Sequence, residues 1–426
     1  MNDSNSVMSN NISYFGNQIL NRVSFLREDV SFLKLALNYS FTQFIPFFNG
    51  EPLGDTTTGK LYRITKHFSD DDTGSLNYKV SRLINETVFT RIADDELESL
   101  ISKGNNPNKT RYHLVFLGLY LSFTSSSSDE FLIYKDKYKG IPVFAINFID
   151  HSIENNHESS SIIKLTFQNV FNVLMSNEEA SLYSYSRMYI QWANKFKRCV
   201  ECGQEIQFIH GGTKWICSDT KCPLNEAKQF QNNAVFPRID PVVITAITNK
   251  DWSKMCLVRS KRAIGKDIVM YSCVAGFMEP GETIESSCQR EVWEETGIQI
   301  KQTDNIIILK SQPWPYPQNL MIGCIAQINF NGHDEVIDLN HDQELLDAQW
   351  FDTQDIKESI DRYKTGFLLS LKLDPLKYPL YIDNKINNND LSQIKIQIPG
   401  KNAIAFDLIN YVVRRHQEQQ QQQQRL

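Results

Sequence analysis

Three glutamates lie close together in one short stretch of this 426-residue chain: Glu291, Glu294 and Glu295, with Arg290 directly before them and Glu282 upstream. If the stretch is helical, Glu291 and Glu295 project within about 40° of one another, and Glu294 lies about 60° from Glu291. Like charges one helical turn apart oppose helix formation, so a cation is the missing partner. Oxygen ligands favour Mg²⁺ or Mn²⁺, which bridge carboxylates to substrate phosphates. The spacing therefore predicts metal-assisted hydrolysis of a phosphate compound.

The acidic residues are expected to have different roles, as metal ligands or as the proton acceptor. Glu291 and Glu295 are the predicted metal ligands, because they share one side of the helix. Glu294, or Glu344 farther along the chain, completes the ligand set or accepts the proton of the attacking water. Arg290 and Glu282 complete the predicted catalytic group.

The residues that flank the glutamates predict a helix over 284–296. Thr283 is a suitable N-cap, and Gly297 stands where a helix ends in the left-handed conformation. Ile284 and Cys288 share the sector of the glutamates. The acidic side of the helix is therefore predicted to face the protein and not the solvent.

A second group of residues shows the spacing of a metal site, C-x2-C-x14-C-x4-C: Cys199, Cys202, Cys217 and Cys222. Two tight pairs let two short turns each present two thiolates to one tetrahedral Zn²⁺, and Gly203 gives the first turn its conformational freedom. Because sulfur would fill all four positions and leave none for water, this zinc is predicted to be structural. Disulfides are the alternative to zinc, and His210 is an alternative ligand.

A proline-rich segment, SQPWPYPQNLM, occupies 311–321. Its prolines, Pro313, Pro315 and Pro317, argue against a helix or a central strand and predict a stiff extended loop. The alternative is a simple connector without a binding role.

The side chains of this loop suit the wall of a pocket for a flat heterocycle. Trp314 and Tyr316 would offer aromatic faces held in fixed directions. The amide groups of Gln312 and Asn319 would form hydrogen bonds with polar groups of the heterocycle or with the hydroxyls of its ribose.

Length, charge and hydropathy limit the remaining possibilities. The chain exceeds what one core supports, so two domains and a small module are expected. A net charge of −6 gives no electrostatic reason to expect DNA as a partner. No apolar stretch is long enough to span a bilayer, and the first residues lack the apolar core of a secretory signal. We expect a cytoplasmic protein with no membrane partner; the alternative is the peroxisome, because the final Gln-Arg-Leu loosely resembles a peroxisomal tripeptide.

Periodicity predicts the elements that must hold these residues. Strands are expected at 112–120, 130–134, 141–149, 242–247, 255–258 and 268–274. Apolar positions from Leu182 to Phe196 recur at helical spacing, so a helix is expected to lead into the cysteine cluster. Low-complexity stretches at 125–128, 154–161 and 384–390 are predicted loops. The remaining cysteines are expected to be reduced packing residues: Cys256, Cys273, Cys288 and Cys324.

The acidic stretch satisfies the longer pattern G-x5-E-x7-R-E-U-x-E-E-x-G-U over 276–298, where U is aliphatic. This pattern resembles the Nudix box. The resemblance implies an α/β/α sandwich around a mixed sheet, and hydrolysis of a nucleoside diphosphate linked to another moiety.

The proline-rich segment resembles SQPWPFPxS of the NADH pyrophosphatases within that family, with Tyr316 in place of Phe and Asn319 in place of Ser. Segments 41–53, 236–244, 344–351 and 403–409 are similar to further parts of the same proteins, and Glu344 matches a metal ligand there. The resemblance implies a set of substrate-binding residues: Phe236, Ala275, Phe277, Gln312, Pro313, Trp314, Pro315, Tyr316, Pro317, Gln318, Asn319 and Ala405.

The expected architecture is α/β (α+β), with a Nudix sandwich, a zinc ribbon and an N-terminal α+β domain. The boundaries are 1–195 for the N-terminal domain, 196–236 for the ribbon, 237–416 for the Nudix domain and 417–426 for a disordered Gln-rich tail. One structural Zn²⁺ per chain and catalytic Mg²⁺ or Mn²⁺ are the expected metals. The resemblance also implies a homodimer.

The expected reaction is hydrolysis of NADH or NAD to nicotinamide mononucleotide and AMP. Removal of NAD caps from RNA uses the same chemistry, and the sequence does not separate these substrates. One alternative is a Nudix hydrolase for ADP-ribose, coenzyme A or dinucleoside polyphosphates. Another is a non-catalytic zinc-ribbon adaptor that binds nucleotides or RNA; a binding module has no reason to keep repelling carboxylates together, which argues against it.

Overall fold

The structure is a computed structural model, and it describes residues 13–65, 75–89, 111–121, 130–149, 161–166, 170, 173, 175–226, 235–261, 268–302, 305–362, 368–371, 377 and 395–424. The predicted loops at 125–128 and 384–390 lie outside these residues, as do all but the last residue of the predicted loop at 154–161.

Residue contacts divide the chain into two compact units. The N-terminal unit comprises 15–239 together with 315–318, and the C-terminal unit comprises 240–314 and 319–426 together with 1–14. The zinc-ribbon segment at 196–236 therefore belongs to the same unit as the residues that precede it.

The N-terminal unit is an α+β structure. Its strands are β1 (Leu20–Asn21), β2 (Gln43–Phe48), β3 (Glu51–Asp55), β4 (Lys60–Leu61), β5 (Ile64–Thr65), β6 (Arg111–Tyr120), β7 (Leu132–Tyr134), β8 (Tyr138–Ile149), β9 (Ile162–Lys164), β10 (Ile206–Ile209) and β11 (Lys214–Cys217). Its helices are α1 (Val30–Asn38), α2 (Leu76–Ile84), α3 (Asn177–Lys195) and α4 (Pro223–Glu226), with a 3-10 turn at Ser24–Glu28 and a π turn at Asn85–Phe89. Among the described residues, the strands form a nine-stranded sheet with the order β1-β6-β8-β2-β3-β4 along its main path, and a separate two-stranded hairpin, β10-β11.

These elements confirm the strands predicted near 112–120, 130–134 and 141–149 and the helix predicted to lead into the cysteines. Aromatic side chains fill the core between them. Phe44 stacks on Phe144 with 5.7 Å between ring centroids. Phe208 of the ribbon packs edge-on against Trp192 of α3 at 5.6 Å, and Trp215 is buried in the same core. The ribbon thus shares its hydrophobic core with the rest of the unit.

The C-terminal unit contains the strands β12 (Asp240–Asn249), β13 (Lys254–Ser260), β14 (Ile268–Met270), β15 (Val274–Phe277), β16 (Ile306–Trp314), β17 (Asn319–Ile328), β18 (Leu345–Asp352), β19 (Leu368–Leu371) and β20 (Lys395–Pro399). Its helices are α5 (Ile284–Thr296), α6 (Thr353–Arg362) and α7 (Ile404–Gln423). Within the described part of the chain, no helix has the length and apolar character needed to cross a membrane.

The main sheet of this unit is mixed, with the order β16-β17-β12-β13-β18 and β15 paired to β12. Only alternate residues of β12 can face the same way. Accordingly, Val243 packs in one cluster with Val292 of α5, whereas Ile244 packs in another with Leu408 of α7. Helices cover both faces, which confirms the predicted α/β/α sandwich.

The prediction of one strand over 268–274 is wrong in detail. The segment forms two strands that join different sheets: β14 pairs in parallel with β20, and β15 pairs antiparallel with β12. Between them the chain leaves one sheet and enters the other, with Ser272 bridging to Val258.

The prediction of a disordered tail from residue 417 is also wrong over the described residues. Helix α7 continues through Gln423, although its last buried residue is Val413. Glutamine is a good helix former, and a segment that extends an existing helix avoids the cost of nucleation. Local propensity therefore sustains the helix beyond its packed part.

Candidate active site

Helix α5 begins and ends where the sequence predicts. The Thr283 hydroxyl accepts a hydrogen bond from the backbone N–H of Ser286 at 3.1 Å, and the Ser286 hydroxyl accepts one from the N–H of Thr283 at 2.9 Å. Gly297 ends the helix with a φ of 75°. This reciprocal cap and left-handed stop fix the direction of the acidic side chains.

The acidic side of α5 faces the protein, as predicted. Glu291 is 9% exposed and Glu295 is 6% exposed, one helical turn apart and on the same side as the fully buried Cys288. The side chain of Glu294 is more open, at 39%. Two carboxylates are thus partly withdrawn from water, where an unpaired negative charge is costly.

Arg290 is the common partner of three of these acids. Its guanidinium forms two ion-pair contacts with Glu282, at 2.6 and 2.9 Å, and its Nη1 lies 2.7 Å from Glu291 and 3.0 Å from Glu294. Nη2 also donates to the backbone carbonyl of Phe277 at 2.8 Å. This hydrogen bonding lowers the pKa of Glu282 to about 2 and raises the pKa of Arg290. Arg290 therefore ties the loop before α5 to the glutamates on the helix.

Glu291 remains in an electrostatically unfavourable position. Burial raises the pKa of its carboxyl group, and the contact with Arg290 only partly offsets that effect. A cation placed against this carboxylate would stabilise its charged form.

Gly276 of β15 makes room for the Glu291 side chain. A Cβ atom at position 276 would lie 2.0 Å from the carboxyl carbon of Glu291, closer than atoms can approach. With any larger residue at this position the Glu291 carboxylate would have to move from its place.

The acidic group fits a hard divalent cation that is only partly enclosed by protein. Among the described residues, only the four cysteines place three or more ligand atoms within 4.8 Å of one another. Glu291, Glu294, Glu295 and the exposed Glu344 do not form such a cluster. This arrangement suits an ion that takes a few carboxylate oxygens from the protein and fills its other positions with water and substrate phosphates.

The cysteine cluster forms as predicted, with the sulfur atoms of Cys199 and Cys222 separated by 3.8 Å and those of Cys202 and Cys217 by 3.4 Å. All eight cysteines are free. Burial alone would raise the pKa of Cys199, but the backbone N–H groups of Cys202 and Glu201 lower it to about 7. The geometry is compatible with one zinc ion.

The turns around the cysteines hold this geometry. Gly203 adopts a φ of 73°, as its position after the first pair requires. Asn225 donates to the backbone carbonyls of Cys217 at 3.1 Å and Asp219 at 2.6 Å, which closes the second turn. His210 lies outside the cluster, with its Nδ1 3.1 Å from Glu28.

The proline-rich segment is a hairpin, which corrects the prediction of an extended loop. Gln312, Pro313 and Trp314 end strand β16, and Trp314 pairs with Asn319 at the start of β17. Residues 315–318 form the turn, with a cis peptide bond between Tyr316 and Pro317. Strand β16 lies at the edge of its sheet, where proline is tolerated because one side of the strand needs no partner.

The amide of Gln312 has a structural role, which corrects its predicted contact with substrate. Gln312 is 1% exposed. Its Nε2 donates to the carbonyls of Tyr14 and Asn402, both at 3.0 Å, and its Oε1 accepts from the N–H of Ile404 at 2.8 Å. These bonds fix the start of α7. Asn319 differs, because its buried Oδ1 has no partner among the described groups.

Helix α3 holds the turn at 315–318, a role that the sequence did not reveal. The Nε of Arg187 donates to the carbonyl of Pro315 at 3.2 Å, and its guanidinium lies 5.4 Å from the ring centre of Tyr316. The hydroxyl of Tyr316 bonds to that of Tyr183 at 3.1 Å, and Gln318 donates to the carbonyl of Met188 at 3.1 Å. The partners are more than a hundred residues apart in the chain, so local patterns carry no signal of them.

The other predicted substrate residues differ in accessibility. Ala275 and Phe277, the latter 56% exposed, flank Gly276 on β15 and so lie on the strand that contacts Glu291. Ala405, at the start of α7, is 3% exposed, so its side chain is closed to a ligand. Phe236 is partly exposed in the N-terminal unit, with the Lys214 ammonium 4.4 Å from its ring centre.

The sandwich and its carboxylate helix define a class of hydrolase domain. A family model described as NUDIX domain matches residues 238–368, which include β12 to β18 and α5.

Comparison with similar proteins narrows the family further. The chain is 38% identical to the NAD-capped RNA hydrolase NPY1 of Saccharomyces cerevisiae, over 96% of this chain and 97% of that protein. It is 28% identical to the NAD-capped RNA hydrolase of Schizosaccharomyces pombe, over 82% and 85%. It is 35% identical to human NAD-capped RNA hydrolase NUDT12, over 45% of this chain and 38% of that protein. The chain belongs to this family of Nudix hydrolases.

We predict that Gly276→Ala displaces Glu291 and lowers kcat by about tenfold or more, because the added methyl group occupies the place of its carboxylate. Gly323→Ala, on strand β17 of the same sheet, is the matched control, since a Cβ there meets only the apolar side chains of Ile404 and Leu408. Steady-state kinetics and urea unfolding of both variants distinguish a loss of catalysis from a loss of stability. Normal turnover in the Gly276 variant would show that the close approach is unimportant for catalysis.

Proposed function

We propose that this chain hydrolyses the diphosphate of NADH or NAD, and of NAD at the 5′ end of RNA. Water adds to one phosphorus, the bridging oxygen leaves with the other, and the nucleotide products are nicotinamide mononucleotide and AMP or an RNA 5′-monophosphate. The names of the whole-chain relatives from two yeasts support this choice of substrate.

The observation that carries the proposal is the charge arrangement on α5. Two buried glutamates lie on one side of the helix, and Arg290 binds a third and fourth carboxylate beside them. A surface helix would turn such charges outward. The carboxylates of α5 instead face the protein beside the exposed strand β15. They therefore provide oxygen ligands where a diphosphate can approach.

Glu291 and Glu295 would hold the catalytic ion, which we propose to be Mg²⁺ or Mn²⁺ because the donors are oxygens. When bound, such an ion would neutralise the diphosphate and make a nearby water more acidic. Glu294 is the proposed acceptor of the proton from that water, since its side chain is more exposed than those of the buried Glu291 and Glu295. Glu344 is the alternative acceptor, and it is exposed at the start of β18. Arg290 orients the carboxylates.

We propose that the cysteine cluster holds one Zn²⁺ and that this ion maintains the ribbon. Four sulfur ligands leave no position for substrate or water. We also propose a cytoplasmic homodimer. The homodimer is proposed from the family resemblance, and the cytoplasm from the hydropathy of the sequence.

We predict that the purified protein hydrolyses NADH, NAD and NAD-capped RNA with Mg²⁺ or Mn²⁺, and that Glu295→Gln lowers kcat for all three about a hundredfold. The substitution keeps the shape of the side chain but removes a ligand charge. Glu358→Gln, on the exposed side of α6, is the matched control. Product chromatography identifies the bond that breaks. A Glu295 variant with normal turnover would refute the catalytic assignment.

We predict that NADH is hydrolysed with higher kcat/KM than ADP-ribose, because only NADH presents a nicotinamide. An aromatic contact discriminates by roughly 2- to 12-fold. Trp314→Ala should reduce this ratio, whereas Tyr316→Phe should preserve it, because the Tyr316 hydroxyl bonds to Tyr183. A wild-type preference for ADP-ribose would instead support the alternative of a Nudix hydrolase with another substrate.

We predict one zinc per chain by elemental analysis, retained after dialysis. Cys199→Ser should abolish zinc binding and lower the free energy of unfolding by about 2 kcal/mol or more, because a closed thiolate site contributes directly to folding. Cys273→Ala, which changes a buried cysteine outside the cluster, should retain the zinc. A stable protein with no zinc would contradict the structural role.

A further inference from the structure

Two arginines of the N-terminal unit meet at one tyrosine of helix α3. Arg22 follows β1, and Arg27 lies in the 3-10 turn. The Nη2 of Arg22 donates to the Tyr189 hydroxyl at 3.4 Å, and the Nη1 of Arg27 donates to the same oxygen at 3.3 Å. The Arg22 guanidinium also lies 4.5 Å from the ring centre of Tyr185. Two cations therefore share one neutral acceptor.

Within the described parts of the chain, no carboxylate pairs with either arginine. The Nε atoms of both are buried without a hydrogen-bond partner, and Arg27 is only 8% exposed. The one further bond of Arg27 runs from Nη2 to the carbonyl of Leu117 at 3.4 Å. Glu28, next in sequence, lies beside His210 and Lys214. Burying like charges without a counter-ion is unfavourable unless another anion is bound.

The local electrostatics favour negative charge at this place. Burial lowers the pKa of Arg27, and the neighbouring charge of Arg22 lowers it further. Burial alone would raise the pKa of Tyr189, but the charges of Arg27 and Arg22 reverse that effect and lower it. The two guanidiniums thus create a positive potential around the Tyr189 hydroxyl.

We propose that Arg22 and Arg27 form an anion site that binds a phosphodiester group of single-stranded RNA. Guanidinium groups present paired donors that match phosphate oxygens. Arg22 and the two tyrosines are only half-buried, so a phosphate can reach the cluster at Arg22, whereas Arg27 is buried and contributes through its charge. The choice of RNA over free phosphate rests on the proposed function, in which RNA is the polyanionic substrate.

The test is binding of a fluorescent, uncapped ten-nucleotide RNA to the full-length protein, followed by anisotropy without added divalent metal at several salt concentrations. Arg22→Gln should weaken binding roughly tenfold and reduce the slope of log affinity against log salt by about 0.7, the value for one phosphate contact on a single strand. Arg22→Lys keeps the charge and should recover the salt slope. Arg82→Gln is the matched control, because its exposed side chain already pairs with Glu86 at 2.6 Å.

Three results would overturn the proposal. One is equal RNA affinity in the wild type, Arg22→Gln and Arg82→Gln. Another is a loss of thermal stability in Arg22→Gln and Arg22→Lys without a change in RNA affinity, which would show that the arginines only pack on tyrosine rings. The third is stabilisation of the wild type by inorganic phosphate that depends on Arg22, with no effect of Arg22 on RNA binding; this would identify a site for free phosphate.

Failure of this proposal and failure of the proposed function are distinguishable. The RNA used here has no cap, and no bond is broken in the binding assay. Hydrolysis of NADH is measured separately and depends on the carboxylates of α5. If the protein hydrolyses NADH but its affinity for RNA does not depend on Arg22, only the proposal of the anion site is contradicted.

Discussion

The gathering of carboxylates around Arg290 is the interaction on which the catalytic half of this protein depends. A helix that turns several acids toward the protein would be destabilised by their mutual repulsion. Arg290 makes the arrangement possible by binding Glu282, Glu291 and Glu294 at once. It offsets only part of the cost of burying Glu291, whose pKa stays raised. The incomplete compensation is what leaves the site receptive to a cation.

The surrounding fold serves this arrangement by controlling how closely its parts approach. Gly276 lets the strand β15 lie against the Glu291 carboxylate. The reciprocal cap at Thr283 and the left-handed Gly297 fix the length and direction of the helix. The cysteine cluster lies instead in the other unit, beside a hairpin that packs in the core of that unit. The two proposed metals would therefore have separate roles, one in chemistry and one in folding.

The sequence predicts those features of the structure that depend on residues close together in the chain. Helix α5, its caps and the cysteine turns depend on residues a few positions apart, and all were predicted. Gln312 was misjudged because its three bonds reach Tyr14, Asn402 and Ile404, which are distant in sequence. Arg187 was missed for the same reason. The prolines were misread because a proline's tolerance of a strand depends on whether that strand lies at a sheet edge, which only the assembled sheet decides.

The assignment of residues 315–318 to the N-terminal unit bears on how this protein can be divided genetically. A gene fragment that begins at residue 240 encodes the whole sandwich but omits Arg187 and Tyr183, the partners of Pro315 and Tyr316. The buried Gln318 would likewise lose the carbonyl to which it donates. The two units are thus not interchangeable modules. A truncated or chimeric protein with its junction near residue 239 must therefore keep helix α3 together with the turn at 315–318 that the helix contacts.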